Sequence, residues 1–165
     1  MSRYFIVLSV LMLLSFSSHA RDSLCAQDEQ IAFSCSVGHK IASLCASSDL
    51  SKTAGYVQYR YGQHGKVEMT YPQTKVHPST VFRWGVLGFS GGGTDYYRFS
   101  NAGYDYVVYS GLGKGWSKEG VVVEKGGKRL QSLVCKNDAL DDQNWKVMYS
   151  ASIPQIDDPN GFNMP

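Results

Sequence analysis

Beyond its first twenty residues the sequence has no apolar run long enough to cross a bilayer as a helix. It also lacks a dominant charge, with 16 lysines and arginines set against 14 aspartates and glutamates. One basic residue, Arg3, falls in the opening segment, so the remainder is closer still to balance. Charges this even and this scattered make neither a basic face for nucleic acid nor a cationic patch for a membrane surface. Histidine is scarce: only His39, His64 and His77 lie beyond residue 20. No H-E-x-x-H pair, phosphate-loop spacing or dinucleotide fingerprint occurs. There is no internal repeat and no low-complexity tract. These absences leave no signal for a cofactor and point away from catalysis.

The opening segment has the form of an export leader. Arg3 supplies the positive start, Tyr4–Phe16 is mostly apolar, and Ser18-His19-Ala20 has the small-x-small form of a cleavage site. We expect residues 1–20 to be removed and residues 21–165 to form one domain without a membrane anchor. Four cysteines remain, Cys25, Cys35, Cys45 and Cys135. An even number in an exported chain reads as two disulfides, with three pairings open. The first three are spaced by ten residues, which is poor spacing for zinc, so no metal is expected.

Alternation and turn residues predict an all-β chain. Strands are expected at Ile31–Ser36, Ile41–Ala46, Gly55–Tyr61, Lys66–Tyr71, Val81–Phe89, Tyr96–Ser100, Tyr104–Ser110, Gly120–Lys125 and Lys128–Cys135. Gly85 and Gly88 suggest bends or a bulge in the fifth. Strands at this spacing with glycine turns between them indicate an antiparallel sandwich or barrel of about eight strands. Asp138–Tyr149 is read as one short helix with Asp138 as its N-cap and Trp145 as its anchor. Pro154–Pro165 is polar and proline-punctuated, and is expected to be a loosely held arm.

Three motifs suggest chemistry and lack its context. Gly88-Phe89-Ser90-Gly91-Gly92 fits G-x-S-x-G, but the nucleophile elbow needs a helix after the serine, and here glycines and a strand follow. Gly111-Leu112-Gly113-Lys114-Gly115 looks like a phosphate cradle without the spacing or the helix. Asp95, Asp105 and Glu119 could be nominated as a glycosidase pair, but nothing in their spacing sets two acids across a cleft.

What the chain does have is concentrated between Phe89 and Trp116. This stretch holds seven of the 17 glycines and five of the 11 tyrosines. It reads as two strands with three glycine-bearing turns, an arrangement suited to recognition from a rigid sheet. Tyrosines at alternate positions suit a half-buried pleated surface. Tyr96 and Tyr104 are placed nearest the tips, where tyrosine offers contact area at low entropic cost.

The leader, the four cysteines, GYVQYRYG, SGGGTDYYRFSN and YVVYSGLGKGW together resemble the periplasmic lysozyme inhibitors of Gram-negative bacteria. The likeness is strongest to the branch directed at invertebrate-type (i-type) lysozymes. It implies a small exported all-β protein, a homodimer, and a Ser-Gly/Tyr loop that plugs the lysozyme cleft. Two segments could supply the plug: Ser90-Gly91-Gly92, with Tyr96 the next tyrosine, or Ser100 to Tyr104, with Asn101 and Gly103 between. A lysine-glycine motif on a neighbouring loop would correspond to Lys114-Gly115. The alternative in another class is a peptidoglycan- or glycan-binding module, with Trp84 and Trp116 stacking on sugars.

Overall fold

Alternate residues of a strand point to opposite faces of its sheet, and in this protein the central strands of each sheet are covered on both faces. The computed structural model describes residues 22–136, 142–156, 162, 164 and 165. The expected leader and the expected cap at Asp138 lie outside these residues. Among the described residues there are nine strands, β1 (Glu29–Val37), β2 (Lys40–Ser47), β3 (Val57–Gln63), β4 (Lys66–Tyr71), β5 (Arg83–Phe89), β6 (Gly92–Asn101), β7 (Tyr104–Gly113), β8 (Trp116–Lys125) and β9 (Lys128–Val134). One helix follows, α1 (Asp142–Tyr149).

The strands form two antiparallel meanders, β1-β2-β3-β4 and β5-β6-β7-β8-β9. The chain crosses between them once, through a single 3-10 turn at Pro78–Thr80. The two sheets stack face to face around a shared apolar layer. That layer is strongly aromatic. Phe99 on β6 stacks on Tyr71 of β4 at 4.6 Å and on Tyr106 of β7 at 4.9 Å, with Tyr59 and Phe82 at 5.1 and 5.3 Å. Several tyrosines of this sequence are thus core residues. Burial pushes the Tyr59 and Tyr97 hydroxyls well above their ordinary range.

The outer faces are closed by the two ends of the described chain. On the first sheet, residues 22–26 lie over β2 and β3: Leu24 N–H donates to Ser43 Oγ at 3.1 Å, and Cys25 is bonded to Cys45. Glu29 beside them has a side chain only 1% exposed and takes both Arg60 guanidinium nitrogens, at 2.6 and 2.7 Å. Burial alone pushes that carboxyl upward, but the bonds from Arg60, the Ala26 N–H and the Tyr56 hydroxyl outweigh it and hold it below its ordinary value.

On the second sheet, the C-terminal segment does the covering. Trp84 exchanges backbone bonds with Pro154 and Ile156, which extends the sheet past β5. Phe162, 4% exposed, then seats on Tyr96 and Tyr109 at 5.1 and 5.4 Å. The expectation of a loose arm is therefore corrected at its described residues, because the outer face of β6–β8 is apolar and needs a lid.

Cys35–Cys135 joins β1 to the residue just after β9 and ties the two sheets together. The expected bulge in β5 is also corrected. Its pairing with β6 runs without a shift from Arg83 to Phe89. Gly85 is there because the Tyr96 ring from the neighbouring strand occupies the space a Cβ would need. Lys66–Tyr71 matches its expected bounds, whereas β6, β7 and β8 run further into the glycine-rich stretches than their side-chain pattern signalled.

Candidate recognition site

Antiparallel register decides which tips are neighbours. The β5–β6 turn (Ser90-Gly91) and the β7–β8 turn (Lys114-Gly115) stand at one end of the second sheet, and the β6–β7 turn (Ala102-Gly103) stands at the other. Ten residues of β6 separate the two ends, roughly 30 Å at about 3.4 Å per residue. The two candidate plugs therefore cannot act together in one cleft.

At the first end the two turns are fastened to each other. Lys114 N–H donates to the Gly91 carbonyl at 3.0 Å. Gly91 and Gly115 have φ of 83° and 81°, the left-handed conformation that glycine adopts without steric cost. Ser90, Gly91 and Lys114 are all exposed. Behind them Phe89, Gly92, Gly113 and Trp116 lie on one rung of the ladder. The Phe89 and Trp116 rings stack at 5.5 Å and 19°. Gly92 and Gly113 have no room for a Cβ, because the two rings and the β7 backbone fill it. The site is thus a pair of exposed turns on an aromatic base, with Leu112 60% exposed beside it.

The other end is built differently. Asn101 pairs with Tyr104 across a tight turn in which Ala102 and Gly103 have φ of 51° and 80°. Ser100 Oγ donates to Asp105 Oδ1 and is engaged within the sheet. Tyr104 is half-buried, with the Lys125 ammonium 4.8 Å above its ring. Tyr96 belongs to neither tip. It is 2% exposed beneath Phe162, so its placement near a contact surface is corrected: it falls on the outer face by alternation, and the C-terminal segment covers that face.

Ser90 sits in a hairpin turn followed by β6, so no nucleophile elbow forms there. The histidines are engaged or placed elsewhere. His64 pairs with Asp22, His77 bonds Ser79 Oγ and the Ser51 carbonyl, and His39 lies at the β1–β2 turn. Among the described residues the one cluster with metal-ligand character, Cys25, Glu29 and Cys45, has its two sulfurs joined as a disulfide and so offers no thiolate. Sequence reasoning missed Phe89, Leu112 and, as a tip residue, the Phe89–Trp116 pairing. Its signal was a glycine lying opposite each aromatic, readable only once the register is known.

No protein-family model matches the chain, and neither a curated protein nor a solved structure is significantly similar to it.

Proposed function

We propose that this protein is an exported, non-catalytic inhibitor of lysozyme, of the invertebrate type first. In this reading it resides in the periplasm and inserts the joined Ser90-Gly91 and Lys114-Gly115 turns into the enzyme's cleft. The observation that carries the reading is the Lys114 N–H bond to the Gly91 carbonyl. It makes neighbours of the Ser-Gly and Lys-Gly pairs, the two elements that the resemblance implies on adjacent loops. Ser100 to Tyr104, at the far end, is the weaker candidate, because its serine hydroxyl is already bonded to Asp105.

The chemistry suits such a target. A glycosidase cleft presents two carboxyl groups across the scissile bond. The Ser90 hydroxyl and the Lys114 ammonium are donors suited to those oxygens. Gly91 lets the backbone approach without side-chain clash. The Phe89–Trp116 pair beside the turns supplies the aromatic ring that a sugar subsite accepts. A contact near the standard size of about 800 Å² per partner would suffice for tight binding.

The test is titration of residues 21–165 into lysis assays with i-type, chicken-type and goose-type lysozymes. We expect inhibition of at least the first, and none of any at micromolar concentration would refute the proposal. Ser90→Ala combined with Lys114→Ala should weaken inhibition tenfold or more, about 1.4 kcal/mol, whereas Ser100→Ala and Tyr104→Ala should stay within twofold. The partly exposed Phe89–Trp116 pair also favours a glycan-binding module as a second reading, and co-sedimentation with insoluble peptidoglycan separates the two.

A further inference from the structure

The second sheet is longer than the face that covers it. On its inner side, the rung of Trp84 and Tyr97 packs into the core, together with Trp145 and Met148 of α1. The next two inward-facing rungs toward the Ser90 tip have no such cover. Val86 and Leu112 point to the side that is buried further along the same strands, yet they are 50% and 60% exposed. Tyr149 of α1 borders this overhang at 57% exposure and donates its hydroxyl to Asp95 Oδ2 at 3.1 Å. Of the seven large apolar side chains exposed among the described residues, three (Val86, Leu112 and Tyr149) border this overhang, while Phe89 lies at the same end on the opposite face. Contiguous apolar exposure of this kind marks an interaction surface. A cleft of about 280 Å³ between β5 and α1, floored by Trp84 and Tyr97, opens beside Tyr149.

We propose that this overhang is a second contact surface for the same target enzyme, seating a basic, partly apolar rim beside the enzyme's cleft. The inference rests on the proposed function and adds to it. Two features favour that occupant. The overhang is continuous with the Ser90 and Lys114 tips, so an enzyme that receives the tips must pass over it. Its uncovered rungs carry Asp95 and Glu119 and no basic residue, which complements a basic rim. The tips present the opposite sign through Lys114, so the partner is specified as an acidic cleft with a basic border.

Val86→Asp and Tyr149→Ser test this on exposed positions that leave the core intact, with Tm as the control for folding. Each should weaken inhibition tenfold or more while Tm stays within a few degrees of wild type. Asp95→Asn should flatten the dependence of affinity on salt. A wild-type protein that inhibits no lysozyme removes the proposed function and this inference with it. A wild-type protein that inhibits, alongside Val86→Asp and Tyr149→Ser variants that inhibit equally well, overturns this inference alone. Sedimentation decides the remaining occupant: if Val86→Asp splits a wild-type dimer and inhibition is untouched, the overhang belongs to a second copy and the proposal fails.

Discussion

Two glycines three residues apart on β5 should respond in opposite ways to the same methyl group. At Gly85 a Cβ would overlap the ring of Tyr96, which is 2% exposed and pinned from above by Phe162. At Gly88 a Cβ meets nothing within 4 Å, and the backbone is not in the left-handed region. Gly85→Ala must therefore push a large ring against its lid. Overpacking of this kind costs about 1–3 kcal/mol. Gly88→Ala adds no clash and reduces the freedom of the unfolded chain, a gain of roughly 0.4–1 kcal/mol. At about 2–4 °C per kcal/mol for a domain of this size, Gly85→Ala should lower Tm by roughly 2–12 °C and Gly88→Ala should hold or raise it. Thermal and urea unfolding followed by circular dichroism measure both. A double-mutant cycle identifies the cause: in a Tyr96→Ala background the cost of Gly85→Ala should largely vanish, leaving a coupling of about 1–3 kcal/mol. Equal effects of the two alanines, or a Gly85→Ala cost that survives the loss of the ring, would refute the account of Gly85 as a cradle.

Two further outcomes follow from the outer layers and the staples. Glu29→Ala leaves Arg60 without its partner in a side chain 13% exposed, and should cost about 3–5 kcal/mol in urea unfolding. The folded Glu29 carboxyl lies below its ordinary 4.5, so its contribution is complete above that value and is lost as pH falls through the lower folded value. Stability of the wild type should therefore drop more steeply in acid than that of Glu29→Gln. The two disulfides close loops with sequence separations of 20 and 100. On the chain-entropy account, replacing Cys35 and Cys135 by serine should cost about 5 kcal/mol, against about 3 kcal/mol for the Cys25 and Cys45 pair. An equal or reversed order in urea unfolding would contradict it.

Local chemistry made much of the architecture legible. Lys66–Tyr71 is bounded correctly because its alternation is clean and Pro72 stops it. The same logic does not reach Gly92, Gly93 and Gly111–Gly113, which are strand although glycine offers no side-chain pattern to read, nor Trp116–Glu119, where polar residues interrupt the apolar run of β8. Gly85 suggests a bend or a bulge in the sequence because a glycine in a strand has two meanings, a local irregularity or a close approach, and only the neighbouring strand decides between them. At the candidate site, Ser90, Gly91 and Lys114 are exposed turn residues, as glycine-rich tips predict, whereas Tyr96, expected near a tip, is core.

Strand existence, the hairpin turns and the all-β class depend on residues within a few positions of one another, so composition and alternation were enough to determine them. Everything that defines the candidate site depends on contacts distant in sequence. The Gly91–Lys114 bond needs β6 and β7 in register. The burial of Tyr96 needs Phe162, and the pairing of Cys35 with Cys135 needs the two sheets stacked. Only the tertiary structure could fasten the Gly91 and Lys114 turns to one another, because that contact depends on the register of β6 against β7 rather than on any residue in either turn.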